Sequence, residues 1–149
     1  MTDKNKMPDW YENFPFSKKI KKNPIVITKE MEPRFTYGKH GNDLLQSVFL
    51  SNPDLTVTDY VCPPGNYIIP PGFHCDEEIY YVLSGEAMVL NPENGKCIKA
   101  KAGDAIIIPK GTLHQVHNFC EENLYVLSFV HKPWDEDEWK KLQELSREN

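Results

Sequence analysis

Turn-forming residues interrupt the middle of this sequence at short intervals, and that punctuation limits what the chain can fold into. Asn52-Pro53-Asp54, Asn91-Pro92-Glu93-Asn94-Gly95, Ala102-Gly103-Asp104, Pro109-Lys110-Gly111 and Glu121-Glu122-Asn123 carry the residues that turns need. Proline presets φ, glycine and asparagine accept positive φ, and aspartate hydrogen-bonds its own backbone. Between the breaks lie short runs rich in β-branched and aromatic side chains: Leu44 to Leu50, Leu55 to Val61, Asn66 to Ile69, Glu78 to Leu90, Lys96 to Ala100, Ala105 to Ile108, Leu113 to Asn118 and Leu124 to Val130. About eight strands joined by tight turns predict an antiparallel sandwich or barrel.

The period changes after the last run. Asp135 with Glu138 reads as a capping box, and Trp139, Leu142 and Leu145 then recur at helical spacing. We expect an amphipathic helix over 135–147, packed outside the barrel. Residues 1–25 have weak periodicity and are expected to form an arm, although Trp10, Tyr11, Phe14 and Phe16 make it too apolar for a free tail. The expected organisation of the 149 residues is therefore one domain, with an arm at 1–25, a barrel at 26–132 and a terminal helix at 135–147.

Charge narrows the function. The net charge is −5, and the one basic cluster, Lys18-Lys19-Ile20-Lys21-Lys22, is short, so nucleic acid is an unsuitable partner. No apolar run approaches the ~20 residues of a membrane span. No hydrophobic segment follows the N-terminal residues, and the four cysteines form no C-x-x-C pair. These features lead us to expect a cytoplasmic chain with reduced thiols.

Two segments carry chemistry. In the first, Pro70 to Glu86, His74 and Glu78 are an even number of residues apart, which along an extended chain puts both on one face. Glu78, Tyr80 and Val82 then share a face and Ile79, Tyr81 and Leu83 the other. With apolar residues on both, the strand is expected to be buried on two sides, and a buried carboxylate needs a cation or donors. In the second, Gly103 to Asn118, a glycine turn, an apolar strand and a Pro-x-Gly turn lead to a return strand on which His114, Val116 and Asn118 share a face. Such a hairpin can bring His114 beside His74 and Glu78. His117 has the opposite parity and is expected on the surface or between sheets.

The second segment resembles the second sequence motif of the cupin superfamily at Gly103, Pro109, Gly111, His114 and Asn118, and the first resembles the first cupin motif at His74, Glu78 and Gly85. The resemblance implies an all-β double-stranded β-helix, or jelly-roll, barrel. It also implies a metal site at His74, Glu78 and His114. Two departures stand out: Gly72 occupies the position where the family usually has a further histidine, and the leading glycine is displaced to Gly65. Asp76 is the nearest substitute ligand, and His40, Tyr67 and Cys62 could serve only if the fold brings them in.

Two imidazoles and a carboxylate suit Fe, Mn, Ni, Co or Zn as a divalent ion, and three protein ligands leave positions open for a substrate. Our leading expectation is a metal-dependent cupin enzyme acting on a small oxygen-rich metabolite, of dioxygenase, isomerase or decarboxylase type. Glu78 and Tyr80 are its candidate catalytic residues. The pocket wall is expected to be largely apolar, from Tyr80, Val82, Ile106 or Ile107, Ile108 and Val116. The alternatives are a non-catalytic small-ligand or sugar-binding cupin, or a metal-free epimerase or isomerase. The expected partners are a small-molecule substrate and a second copy of the chain in a homodimer.

Overall fold

The computed structural model describes residues 23–31, 34–37, 44–52, 54–68, 72, 74 and 76–131. The expected helix at 135–147 and nearly all of the expected arm lie outside these residues, as do His40 and Cys75. Among the described residues, a 3-10 turn at Lys29–Met31 precedes nine strands: β1 (Arg34–Tyr37), β2 (Leu44–Ser51), β3 (Thr56–Cys62), β4 (Glu78–Ser84), β5 (Glu86–Leu90), β6 (Cys97–Lys101), β7 (Ala105–Ile108), β8 (Gln115–His117) and β9 (Leu124–Val130).

The strands form two antiparallel sheets. One has six strands in the order β1-β2-β3-β9-β4-β7, the other three in the order β6-β5-β8. Isolated bridges Tyr67–His117 and Gly72–His114 continue the smaller sheet beyond β8. The run expected as a strand at Asn66 to Ile69 is thus reduced to one bridge at Tyr67. β1 has no counterpart among the expected strands.

The expected strand from Glu78 to Leu90 is two strands, and Gly85 is where the chain leaves one sheet for the other. Its φ is +83°, and a Cβ there would lie 2.8 Å from the Asn123 carbonyl oxygen. Only glycine meets both conditions.

Strand parity sorts the side chains. Inward residues alternate with outward ones along the whole of β3 and β9 and from Glu78 to Leu83 of β4. At the Cys62–Leu124 end of the barrel the interior is apolar, built from Leu44, Tyr60, Cys62, Val82, Ala87, Val89, Val116, Leu124 and Val126. Towards the other end it turns polar: Gln46, Thr56, Thr58, Glu78 and Ser128 are all buried there. The Gln46 amide donates to Thr58 Oγ1 at 3.1 Å, and Ser51 and Thr56 share a hydrogen bond of 3.0 Å.

β4 is not buried on two sides as expected. Glu78, Tyr80 and Val82 are at most 4% exposed, whereas Ile79, Tyr81 and Leu83 are 40–48% exposed. Among the described residues, the outer face of the large sheet is apolar and exposed. Ile79 pairs with Ile107 and Phe129, and Tyr81 with Leu127, so the apolar residues form a continuous row across β7, β4 and β9. None of the helices among the described residues is long and apolar enough to cross a membrane.

Candidate metal centre

Three elements converge at the polar end of the barrel. Glu78 opens β4, facing inward. His74 lies four residues earlier on the approach to that strand, and His114 sits on the bridge that leads into β8. His74 Nε2 is 3.1 Å from Glu78 Oε2, and His114 Nε2 is 3.0 Å from the same oxygen. Both nitrogens aim at one carboxylate oxygen, and the ligand atoms of all three residues lie within 4.8 Å of one another. This grouping brings together the three residues singled out as ligands in the sequence.

The surroundings fix each group. Tight backbone pairing of Gly72 and His114, with N–H to carbonyl distances of 2.6 and 3.0 Å, locks the His114 backbone. The His114 ring stands at Nδ1, 2.9 Å from the Thr112 carbonyl oxygen. A carbonyl only accepts, so Nδ1 carries the hydrogen, and a neutral His114 presents a bare lone pair at Nε2. Ser128 donates its hydroxyl to the other carboxylate oxygen, Oε1. It reaches Glu78 diagonally across the β4–β9 ladder, since its direct partner there is Tyr80.

A lone pair 3.0 Å from a buried carboxylate oxygen is repulsive unless a positive charge lies between them. Glu78 Oε2 is buried and faces these two ring nitrogens. Either an imidazolium proton or a cation satisfies it. The donor set fits a metal ion: two imidazole nitrogens and a carboxylate oxygen suit a divalent transition ion, and the three ligand atoms lie within 4.8 Å of one another. Burial would raise the Glu78 pKa, but hydrogen bonds and charge from His114 and His74 outweigh it and lower the pKa to about 2. The carboxylate therefore stays ionised and available as a ligand.

Tyr80 is the other polar group at the site. Its hydroxyl lies 3.0 Å from His114 Nε2, and its ring meets those of Tyr60 and His114 edge-on, each at 5.8 Å.

Among the described residues, the substitute ligands do not enter. Among the described residues searched, Asp76 is not part of the cluster. Cys62 is buried in the apolar core, with its thiol directed at the Pro63 carbonyl. Tyr67 lies on the outside of the smaller sheet, stacked on His117 at 4.9 Å, and His117 stacks in turn on Phe119 at 5.2 Å. Partial burial holds the His117 pKa below the usual imidazole value.

The wall decides one open alternative and departs from expectation in one way. Ile107 points outward and is 65% exposed, so Ile106 and Ile108 are the inward residues of β7. Thr58, Ser128 and Gln46 add a polar side that sequence reasoning missed. The available signal was parity: Thr56 and Thr58 on β3, and Ser128 on β9, stand at positions where the alternation demands core residues.

Asn118 is structural. Fully buried, it donates to the carbonyls of Cys62 (2.9 Å) and Glu122 (2.7 Å) and accepts from the Cys120 N–H at 3.0 Å.

Comparison with known proteins agrees with this architecture. A family model described as a cupin domain matches residues 59–130. An uncharacterized protein of Methanocaldococcus jannaschii is 27% identical over 88 residues, which cover 59% of this chain and 69% of that one. The crystal structure of an uncharacterized conserved protein with a double-stranded β-helix domain from Klebsiella pneumoniae aligns with a TM-score of 0.57 and 29% identity, over 61% of this chain and 78% of that one. The structure of KdgF from a Halomonas species aligns with a TM-score of 0.62 at 19% identity, over 76% of this chain and 99% of that one; this likeness is one of fold.

Proposed function

We propose that this chain, whose residues 59–130 match a family model described as a cupin domain, is a metal-dependent enzyme acting on a small oxygen-rich metabolite. The observation that carries this reading is the approach of two imidazole nitrogens to one buried carboxylate oxygen, at 3.0 and 3.1 Å. His74, Glu78 and His114 would hold a divalent transition metal: Fe, Mn, Ni, Co or Zn. When bound, the ion supplies Lewis-acid polarisation of a substrate oxygen, in a reaction of dioxygenase, isomerase or decarboxylase type.

The chain's own groups supply the rest. Thr112 holds the His114 ring in the tautomer that leaves Nε2 for the site. Ser128 orients the Glu78 carboxylate through Oε1 and leaves Oε2 towards the histidines. As catalytic residues, Glu78 holds negative charge beside the substrate and Tyr80 brings its phenolic oxygen to the same centre. Thr58, Ser128 and Gln46 favour a ligand with hydroxyl or carbonyl groups on that side, and Ile106, Ile108 and Val116 exclude water from the other.

Elemental analysis of protein purified without added metal tests the reading. The expected result is a stoichiometric divalent ion that disappears in His114→Ala and Glu78→Ala. Metal content near zero in the unaltered protein would replace this reading with that of a metal-free binding module or isomerase.

A further inference from the structure

We infer that Tyr80 is a fourth protein ligand of the metal held by His74, Glu78 and His114, an inference that rests on the metal-dependent reading above. Its phenolic oxygen is 3.0 Å from His114 Nε2. That nitrogen is equally far, 3.0 Å, from Glu78 Oε2. Around the shared imidazole nitrogen, the tyrosine oxygen thus stands at the separation of an accepted ligand atom.

The fold holds Tyr80 in that place. It follows Glu78 by two residues on β4, on the same inward face, and is 4% exposed. Its backbone is flanked on both sides, by Ser128 of β9 and Ile106 of β7. Its ring lies against Tyr60 and His114, so the hydroxyl is confined to the metal end of the barrel.

The space beside His114 Nε2 is closed to a side chain from position 72. A Cβ at position 72 would lie 2.7 Å from His114 Nε2 and 2.9 Å from Cε1. The chain has therefore given up a side chain at position 72, while a phenol stands within reach of the same nitrogen.

The hydrogen-bond pattern favours a switch on metal binding. With Nδ1 committed to the Thr112 carbonyl, neutral His114 has one lone pair, at Nε2, and the Tyr80 O–H can donate into it. A metal bonded to Nε2 takes that lone pair, which ends the O–H···N interaction while the phenolic oxygen stays close. The oxygen then donates an electron pair to the ion, its O–H bond breaks, and the proton leaves to bulk water. No oxidation state changes in this step.

The test uses the full chain loaded anaerobically with ferrous iron alone, then exposed to air so that oxygen converts it to the ferric state, with bound iron counted after gel filtration. Wild type is expected to show an intense visible phenolate-to-iron charge-transfer band, with tyrosinate ring modes in the Raman spectrum excited within it. Tyr80→Phe is expected to lose the band while retaining iron, and Tyr60→Phe, which alters the neighbouring ring, to keep it. Iron-loaded wild type without the band, or a band that survives Tyr80→Phe, overturns the inference and leaves the metal site standing. Wild type that takes up no iron overturns the inference, and if a parallel loading with zinc also leaves it empty, the metal-dependent reading as well.

Discussion

Gly72 and His114 face each other across a two-hydrogen-bond bridge so close that the imidazole occupies the space where a side chain at position 72 would begin. The constraint is steric and falls on the ligand itself, because the nearest atom is Nε2, at 2.7 Å from the missing Cβ.

Gly72→Ala should therefore damage the metal site before it damages the barrel. The methyl group must displace the His114 ring, and second-layer changes around metal ligands typically cost about 10–100-fold in affinity. We expect zinc affinity, measured by competition with a chromogenic chelator, to fall within that range while the circular dichroism spectrum is unchanged. Unaltered affinity in a folded Gly72→Ala protein would mean that His114 does not bind metal in the position described.

Glu78 should make the metal-free protein sensitive to acid. Its pKa is lowered from 4.5 to about 2 in the folded chain, where His114 and His74 stabilise the ionised form against burial. A depressed carboxylate pKa contributes stability above the unfolded value and loses it as pH falls towards the folded one. The contribution is thus complete above about pH 4.5 and declines as pH falls to about 2. Denaturant melts of chelator-treated protein across that window should show a drop in stability that is smaller in Glu78→Gln. Equal slopes in the two proteins would show that the carboxylate is not held in its ionised form by the histidines.

Asn118 makes the case for a residue that belongs to a functional motif yet acts on the fold. Its amide joins the end of β3 at Cys62 to the turn at Cys120 and Glu122. Asn118→Ala leaves two carbonyls and an N–H without that partner in a buried place. At about 1 kcal/mol for each net hydrogen bond, and more for groups left unsatisfied, the loss should be about 3 kcal/mol. Chemical denaturation should register this as a lower midpoint, and metal stoichiometry in the folded variant should be unaffected. A loss below about 1 kcal/mol would indicate that water replaces the amide.

Much of this was legible in the chain because strand chemistry is local. Alternation placed Glu78, Tyr80 and Val82 on one face, and turn residues marked where strands end, so the candidate ligands could be read from spacing and motif. What escaped was set by non-local pairing. Gly85 looks like one more residue of a long strand until its Cβ is seen to collide with Asn123, 38 residues away in sequence by the numbering. The exposure of Ile79, Tyr81 and Leu83 could not be read from their apolar character, because a hydrophobic outer face and a doubly buried strand have the same pattern. The polar half of the interior was visible only as Thr56, Thr58 and Ser128 at core parity, a signal that gains meaning once β3, β9 and β4 are known to be neighbours.

That exposed apolar face leads to the last prediction, a homodimer formed through the large sheet. Ile79, Tyr81, Leu83 and Tyr125 are each 40–48% exposed and Ile107 is 65% exposed, all on one side of β4, β7 and β9. Contiguous apolar surface of this kind marks an interaction site, and in a two-fold dimer the same patch serves both subunits. Ile107 pairs with Ile79 and is the most exposed of these residues, so Ile107→Glu places two carboxylates in the interface while leaving the inward core of β7, Ile106 and Ile108, intact. Light scattering at micromolar concentration should give a dimer mass for the unaltered protein and a monomer mass for the variant, with metal content the same in both. A monomeric unaltered protein refutes the dimer, and a dimer that survives Ile107→Glu moves the interface to another face.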